Sequence, residues 1–225
     1  MRQQHDQLTA SLNRRRLVVP MRYRLLLAVS ALMALASLAY HYWPRSPVNL
    51  AQDGNMTSTG LYASWKAGDV IVLVRHGERC DSSSNECLGP MDGITVVGSA
   101  VSTAVGQSFE RLGLESTDVF ASPTTRTVQT AQSMFGPSAS TQSWLYDCDE
   151  TLIDQAIAHK KDKRNLILVT HSGCISKIET LYGYPRAPKS EYASALFIAV
   201  NSQGKASLRG ILNHEDWANL PTPMH

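Results

Sequence analysis

The sequence contains no internal repeat, no C-x2-C pair and no run of three consecutive Lys or Arg residues beyond Arg14, Arg15 and Arg16. The first absence argues against solenoids and propellers, which copy one supersecondary unit along the chain. The second counts against a paired-cysteine zinc site. The third, with a formal net charge of only +2, leaves no continuous basic face, so no nucleic-acid partner is expected. A site for a smaller anion stays open.

Asp, Glu, Lys and Arg are also absent from Leu25 to Trp43. At about 1.5 Å per residue this run comes close to the ~30 Å hydrocarbon core of a bilayer, so it reads as a membrane-spanning helix. Tyr40, Tyr42 and Trp43 suit the headgroup boundary, and a buried core helix would need a polar face that the run lacks. Arg22, Arg24 and the Arg14 to Arg16 cluster hold the N-terminal side in the cytoplasm and send everything after Trp43 across the membrane. The expected organisation is therefore a cytoplasmic basic N-terminus (1–24), a transmembrane signal anchor (25–43), a linker (44–66) and one domain (67–225). Ala34, Ala36 and Ala39 leave a cleaved signal peptide as the alternative. At 225 residues and 43 % hydrophobic, the chain has material for one sizeable core.

Within the domain, "DVIVLV" (69–74) and "NLILVT" (165–170) have the near-continuous, β-branched hydrophobicity of parallel strands buried on both faces. Helical spacing of apolar residues marks Thr95 to Leu112, with Gly113 as its stop. "DVFA" (118–121) reads as a further strand, followed by helices over about 124–134 and 152–161. Ala195 to Val200 and Ser207 to Ile211 suggest a late hairpin through "NSQGK". Alternating strands and helices predict an α/β fold with a central, mainly parallel sheet.

Two of these strands lead directly into histidines, His76 and His171, and ligands of open α/β sheets bind beyond the carboxyl ends of strands. Arg75 and Arg79 flank His76, and Arg126 begins a helix after another strand. Converging guanidiniums offer forked donors to phosphate oxygens, and a neutral imidazole among them can attack phosphorus. His171 would help stabilise the transferring phosphoryl group. Such chemistry is mostly positioning and charge neutralisation, so neither metal nor cofactor is expected. A carboxylic acid must protonate the leaving oxygen. Cys80, Cys87, Cys148 and Cys174 all lie on the exported side, where disulfides are permitted. Three pairings exist; Cys80 with Cys87 is the local option and would leave Cys148 for Cys174. Zinc on cysteines and His171 is the rival reading, against which oxidation competes for the thiols.

"LVRHGER", "SPTTRTVQTA" and "VTHSG", in that order, resemble the motifs of the histidine phosphatase superfamily, which includes phosphoglycerate mutases and histidine acid phosphatases. The resemblance covers about 68–174 and implies a phosphoglycerate mutase-like three-layer sandwich. It implies that His76 is the phosphorylated histidine, that Arg75 and Arg126 bind phosphate, and that His171 is the second catalytic histidine. Arg79 matches the extra arginine of the acid-phosphatase branch. The chain departs from that branch in having Asp81 in place of a proline and Ser172 in place of an aspartate after the second histidine. The mutase-like branch places its acid in a Leu-x-Glu pattern, and "WLYDCDE" puts Asp147 nearest that position, with Glu150 second; Glu78 is not expected to be the donor.

A narrower likeness lies in "RHGERCDSSSNECL", "GITVVG", and Cys148 and Cys174 in their contexts, which are similar to the bacterial lipopolysaccharide core heptose(II)-phosphate phosphatases. It implies a periplasmic enzyme, held to the inner membrane, acting on a phosphorylated sugar of a glycolipid. Smaller phosphomonoesters are the same-class alternative, and export disfavours a mutase acting on glycolytic intermediates. A membrane-tethered module that binds phosphorylated ligands without turnover is the reading from another class. Nothing in the sequence sets the oligomeric state.

Overall fold

Continuous apolar runs become the buried strands of one sheet. A computed structural model describes residues 20–43, 45–52 and 54–220, so Arg14 to Arg16 and most of the segment 1–24 lie outside the described residues. The strands are β1 (Val70–Arg75), β2 (Thr117–Ala121), β3 (Ser140–Thr141), β4 (Asn165–Thr170), β5 (Ala195–Val200) and β6 (Ala206–Leu212). Their order is β3-β2-β4-β1-β5-β6. The β3, β2, β4 and β1 strands run parallel, while β5 and β6 form an antiparallel hairpin on one edge. Both β1 and β4 are buried at all six positions, as their unbroken hydrophobicity requires.

The helices are α1 (Met21–Tyr42), α2 (Asn55–Ser58), α3 (Leu61–Ala67), α4 (Val96–Leu112), α5 (Thr125–Phe135), α6 (Trp144–Asp147), α7 (Leu152–His159) and α8 (Ser172–Leu181). Alternation along the strands splits the apolar side chains into two cores. Ile71, Leu73, Leu166, Leu168, Leu196 and Ile198 face Leu145 of α6, Leu152 and Ala156 of α7, and Ile175 and Ile178 of α8. Val70, Val72, Val74, Ile167, Val169 and Phe197 face α2 to α5 through residues such as Met56, Trp65, Phe109 and Met134. Phe109 anchors that second core, its ring centroid 4.5 Å from Trp217 and 5.5 Å from Phe135. At Gly106 a Cβ would lie 2.1 Å from the Met134 carbonyl oxygen, so glycine is what lets α4 close on α5. The result is the expected three-layer sandwich around a mainly parallel sheet.

One expected boundary is corrected. The segment 44–66, read as a linker, supplies Leu50, Met56, Leu61 and Trp65 to the core, and the compact unit begins at residue 44. Its polar and glycine content hides two short helices that start after Gly54 and Gly60, both in the left-handed region where glycine pays no Cβ penalty. Asn49 then bridges to Ile211 alongside β6. The α1 helix forms a unit of its own, exposed along its length and long and apolar enough to cross a membrane over Met21–Tyr40.

Candidate active site

Three neighbouring parallel strands, β1, β4 and β2, end in Arg75, Thr170 and Ala121 and deliver His76, His171 and Ser122 to one end of the sheet. His76 is tied at its backbone: its N–H donates to the Thr170 carbonyl at 3.0 Å, and its carbonyl accepts from Ala193. Its side chain is 4 % exposed, and Nδ1 lies 2.8 Å from the Gly77 carbonyl oxygen. A carbonyl only accepts, so Nδ1 carries the proton and Nε2 keeps its lone pair. The two imidazoles sit edge to face with centroids 5.6 Å apart.

His171 is held from both ring nitrogens. Arg126 Nη2 donates towards Nδ1 at 3.4 Å, and Nε2 therefore donates to Ser122 Oγ at 3.0 Å. Ser122, whose Ser-Pro context is an ordinary helix start, is fully buried and serves to orient this histidine. The arginines differ in setting. Arg75 is 6 % exposed, donates to the Ser190 carbonyl and lies with Cζ 3.9 Å from the centroid of the Tyr192 ring. Arg79 is about one-third exposed and forks both oxygens of Asp81. The Nε groups of Arg75 and Arg126 are buried donors without partners among the described residues. Buried unpaired donors are costly, so these two mark a place where an acceptor would be welcome.

The two disulfides, Cys80 with Cys87 and Cys148 with Cys174, take up the thiols that a zinc site would need. The first closes the loop directly after Arg79, where Arg79 also bridges to Ile94 and Cys87 to Thr95. Glu78 accepts from Asn85 Nδ2 at 2.9 Å and from Thr95 Oγ1 at 2.7 Å, so this carboxylate braces the same loop.

The chain has relatives among known proteins. Over 161 residues, 70 % of this chain and 77 % of the relative, it is 34 % identical to the lipopolysaccharide core heptose(II)-phosphate phosphatase of Salmonella typhi. The phosphatase of the same name from Salmonella typhimurium is 33 % identical over an equal span. In fold, the chain is similar to the protein histidine phosphatase SixA, at a TM-score of 0.53 and 14 % identity, covering 65 % of this chain and 98 % of that one. The chain belongs to the histidine phosphatase superfamily. This histidine phosphatase is a phosphoric monoester hydrolase. A phosphoserine phosphatase mutant from Entamoeba histolytica has the same fold, at a TM-score of 0.50 and 13 % identity over 65 % of this chain and 98 % of its own. No family model matches the sequence.

The two carboxylates singled out as proton donors are not among the groups that touch the phosphatase's histidines. Asp147 ends α6, is exposed, and makes no ion pair among the described residues. Glu150, its side chain 90 % exposed, turns to Lys177 at 3.4 Å. Both nevertheless share a short segment with Tyr146, whose ring centroid is 6.3 Å from that of His171. Sequence reasoning missed Tyr146 and Tyr192. The Tyr192 centroid is 5.8 Å from that of His76, but the residue belongs to no motif and lies between elements of regular structure.

Burial, followed by the charges of His171, Arg126 and Arg75, pushes the His76 imidazole down from 6.5 to about 3, although its bond to Gly77 pulls the other way. Burial and then Arg126 and Arg79 push His171 down to about 4. Both rings of the phosphatase are therefore neutral at the pH where a nucleophile is needed. Because the unfolded chain binds more protons at these sites between about pH 4 and 6.5, their contribution to stability falls as the pH is lowered through that window. Glu179, buried on α8 and pushed up to about 7 by burial, acts in the opposite sense and withdraws stability as the pH rises through that value. Imidazole chemical shifts separate the two effects. His76 and His171 in the free enzyme are expected to titrate near 3 and 4, and midpoints near 6.5 would contradict the burial argument.

Proposed function

We propose that this phosphatase removes phosphate from a heptose of the lipopolysaccharide core, on the periplasmic side of the inner membrane, through a phosphohistidine at His76. The observation that carries the reading is His76 itself: Nδ1 is committed to Gly77, Nε2 is free, and Arg75 and Arg126 present unpaired donors beside it. In the first step Nε2 bonds to phosphorus, the bond from phosphorus to the sugar oxygen breaks, and that oxygen takes a proton from a carboxyl of the 147–150 segment. Asp147 is preferred, since Glu150 is engaged with Lys177. In the second step water attacks phosphorus, gives its proton to the same carboxylate, and releases inorganic phosphate and free His76. Arg75, Arg79, Arg126 and His171 hold the equatorial oxygens throughout, a task of positioning and charge stabilisation.

The substrate assignment is supported by the Salmonella relatives and by the chain's own layout, in which an N-terminal helix able to cross a membrane precedes a domain with two disulfides. Cells overproducing the full chain are expected to yield lipopolysaccharide core that has lost its heptose phosphate signal in phosphorus NMR. Purified enzyme should release phosphate from the isolated phosphorylated core. Core phosphorylation unchanged by overproduction would sink the glycolipid assignment and leave smaller phosphomonoesters as the substrate class.

A further inference from the structure

We propose that Tyr146 is the platform on which the ring of the departing sugar rests, and that the Cys148–Cys174 disulfide fixes it in place; this rests on the sugar-phosphate reading above. The first observation is a contrast within α6. Leu145 is fully buried, whereas the next residue, Tyr146, is 57 % exposed although it is large, aromatic and beside a catalytic histidine. The planes of its ring and of His171 stand at 88° to each other. It is also among the groups near enough to act on the Arg126 guanidinium. Tyr146 thus borders both of the groups that hold each other at the phosphoryl site.

In-line displacement sends the leaving oxygen away from the attacking nitrogen. His76 is buried at the base of the site, so the leaving group departs towards the open rim, where Tyr146 stands. The second aromatic ring of the site, Tyr192, is already covered by the Arg75 guanidinium. A sugar ring in its chair form presents a face of C–H bonds, and the electron-rich face of a tyrosine complements it. An acyclic alcohol offers no such face.

A one-turn helix has no stability of its own, because nucleation fixes several residues for very few hydrogen bonds. Something else must set the position of α6. The chain reverses at Cys148, which takes the left-handed conformation with φ 49°, and Cys148 is bonded to Cys174 in the first turn of α8, three residues after His171. Cys174 is fully buried, its sulfur 2.7 Å from Thr170 Oγ1, and that hydroxyl also donates to the Leu145 carbonyl at 3.2 Å. Tyr146 and His171 are therefore referred to one frame, the end of β4.

The test gives the full-length enzyme two phosphate esters that both lose a secondary alkoxide: a pyranose phosphorylated on a ring carbon other than the anomeric one, and glycerol 2-phosphate. Equal demand for the leaving-group proton removes the acid from the comparison, and the ratio of the two kcat/KM values reads the ring contact alone. Tyr146→Ala is expected to cut that ratio roughly tenfold, and Tyr146→Phe to keep it near the wild-type value. Loss of the disulfide in the Cys148→Ser, Cys174→Ser double variant should shift the ratio as Tyr146→Ala does. If that variant does not fold, the folded Cys80→Ser, Cys87→Ser variant, which keeps only the Cys148–Cys174 bond, is measured before and after treatment with a dithiol. A ratio unchanged by Tyr146→Ala overturns the platform, and one unchanged by loss of the bond overturns the disulfide's part. A wild type with no preference for the pyranose removes the sugar reading and this inference with it.

Discussion

Replacing His76 with alanine is expected to lower kcat by roughly 10⁴-fold or more, while the protein still folds and still binds phosphate. The size follows from the role: without Nε2 no covalent intermediate forms, and the remaining donors stabilise a reaction that has lost its nucleophile. Phosphate binding survives because Arg75, Arg79 and Arg126 remain. His76→Gln is the companion variant, since its amide fills part of the space and can still donate to the Gly77 carbonyl that Nδ1 now satisfies. Rapid quenching with a substrate labelled at phosphorus should trap an acid-labile, base-stable protein adduct in the wild type and none in either variant. Turnover in His76→Ala within tenfold of wild type would exclude the phosphohistidine route.

Arg75→Ala should cost about 10² to 10³ in kcat/KM, the loss typical of removing one preorganised donor from a water-poor site. Arg79→Ala should cost less. The distinction lies in solvent and in partners. Arg75 is buried, stacked against Tyr192 and left with an unpaired Nε, so its field is weakly screened and its donor is waiting. Arg79 is partly exposed and already answered by Asp81, which phosphate must displace. Arg75→Lys should recover little, because an ammonium has neither the fork nor the flat face that rests on Tyr192. Steady-state kinetics of the three variants, with inorganic phosphate as a competing ligand, orders the arginines. A larger loss at Arg79 than at Arg75 would reverse the ranking by burial.

The features legible in the sequence were those written locally. β1 and β4 are built on apolar runs, and β4 and β5 keep the bounds read from the sequence, 165–170 and 195–200. His76, His171 and Arg75 lie at or just beyond strand ends and Arg126 in the first turn of the helix after β2, so reading the elements also located them. The short helices α2 and α3 were hidden because their helical character comes from packing Met56, Leu61 and Trp65 rather than from propensity. The α8 helix begins in the small polar residues of the second histidine motif, which mask its periodicity. Tyr192 acts through a contact with a residue far away in sequence, and Ser122 through a histidine on another strand; neither relation leaves a local pattern. The pairing of the cysteines, open in the sequence, required knowing that α6 and α8 are neighbours.

The order of the sheet bears on when the chain can fold. The central strand β1 is made early, but Ile71 finds its partners in Leu166 on one side and Ile198 on the other. Pairings so distant in sequence are slow to form, and here they cannot form until most of the chain has been synthesised. The domain therefore stays open while its N-terminal part is being made. Once β4 and β5 arrive, the same pairings close both cores together. The catalytic end of the sheet thus waits for β4, which brings His171 beside His76.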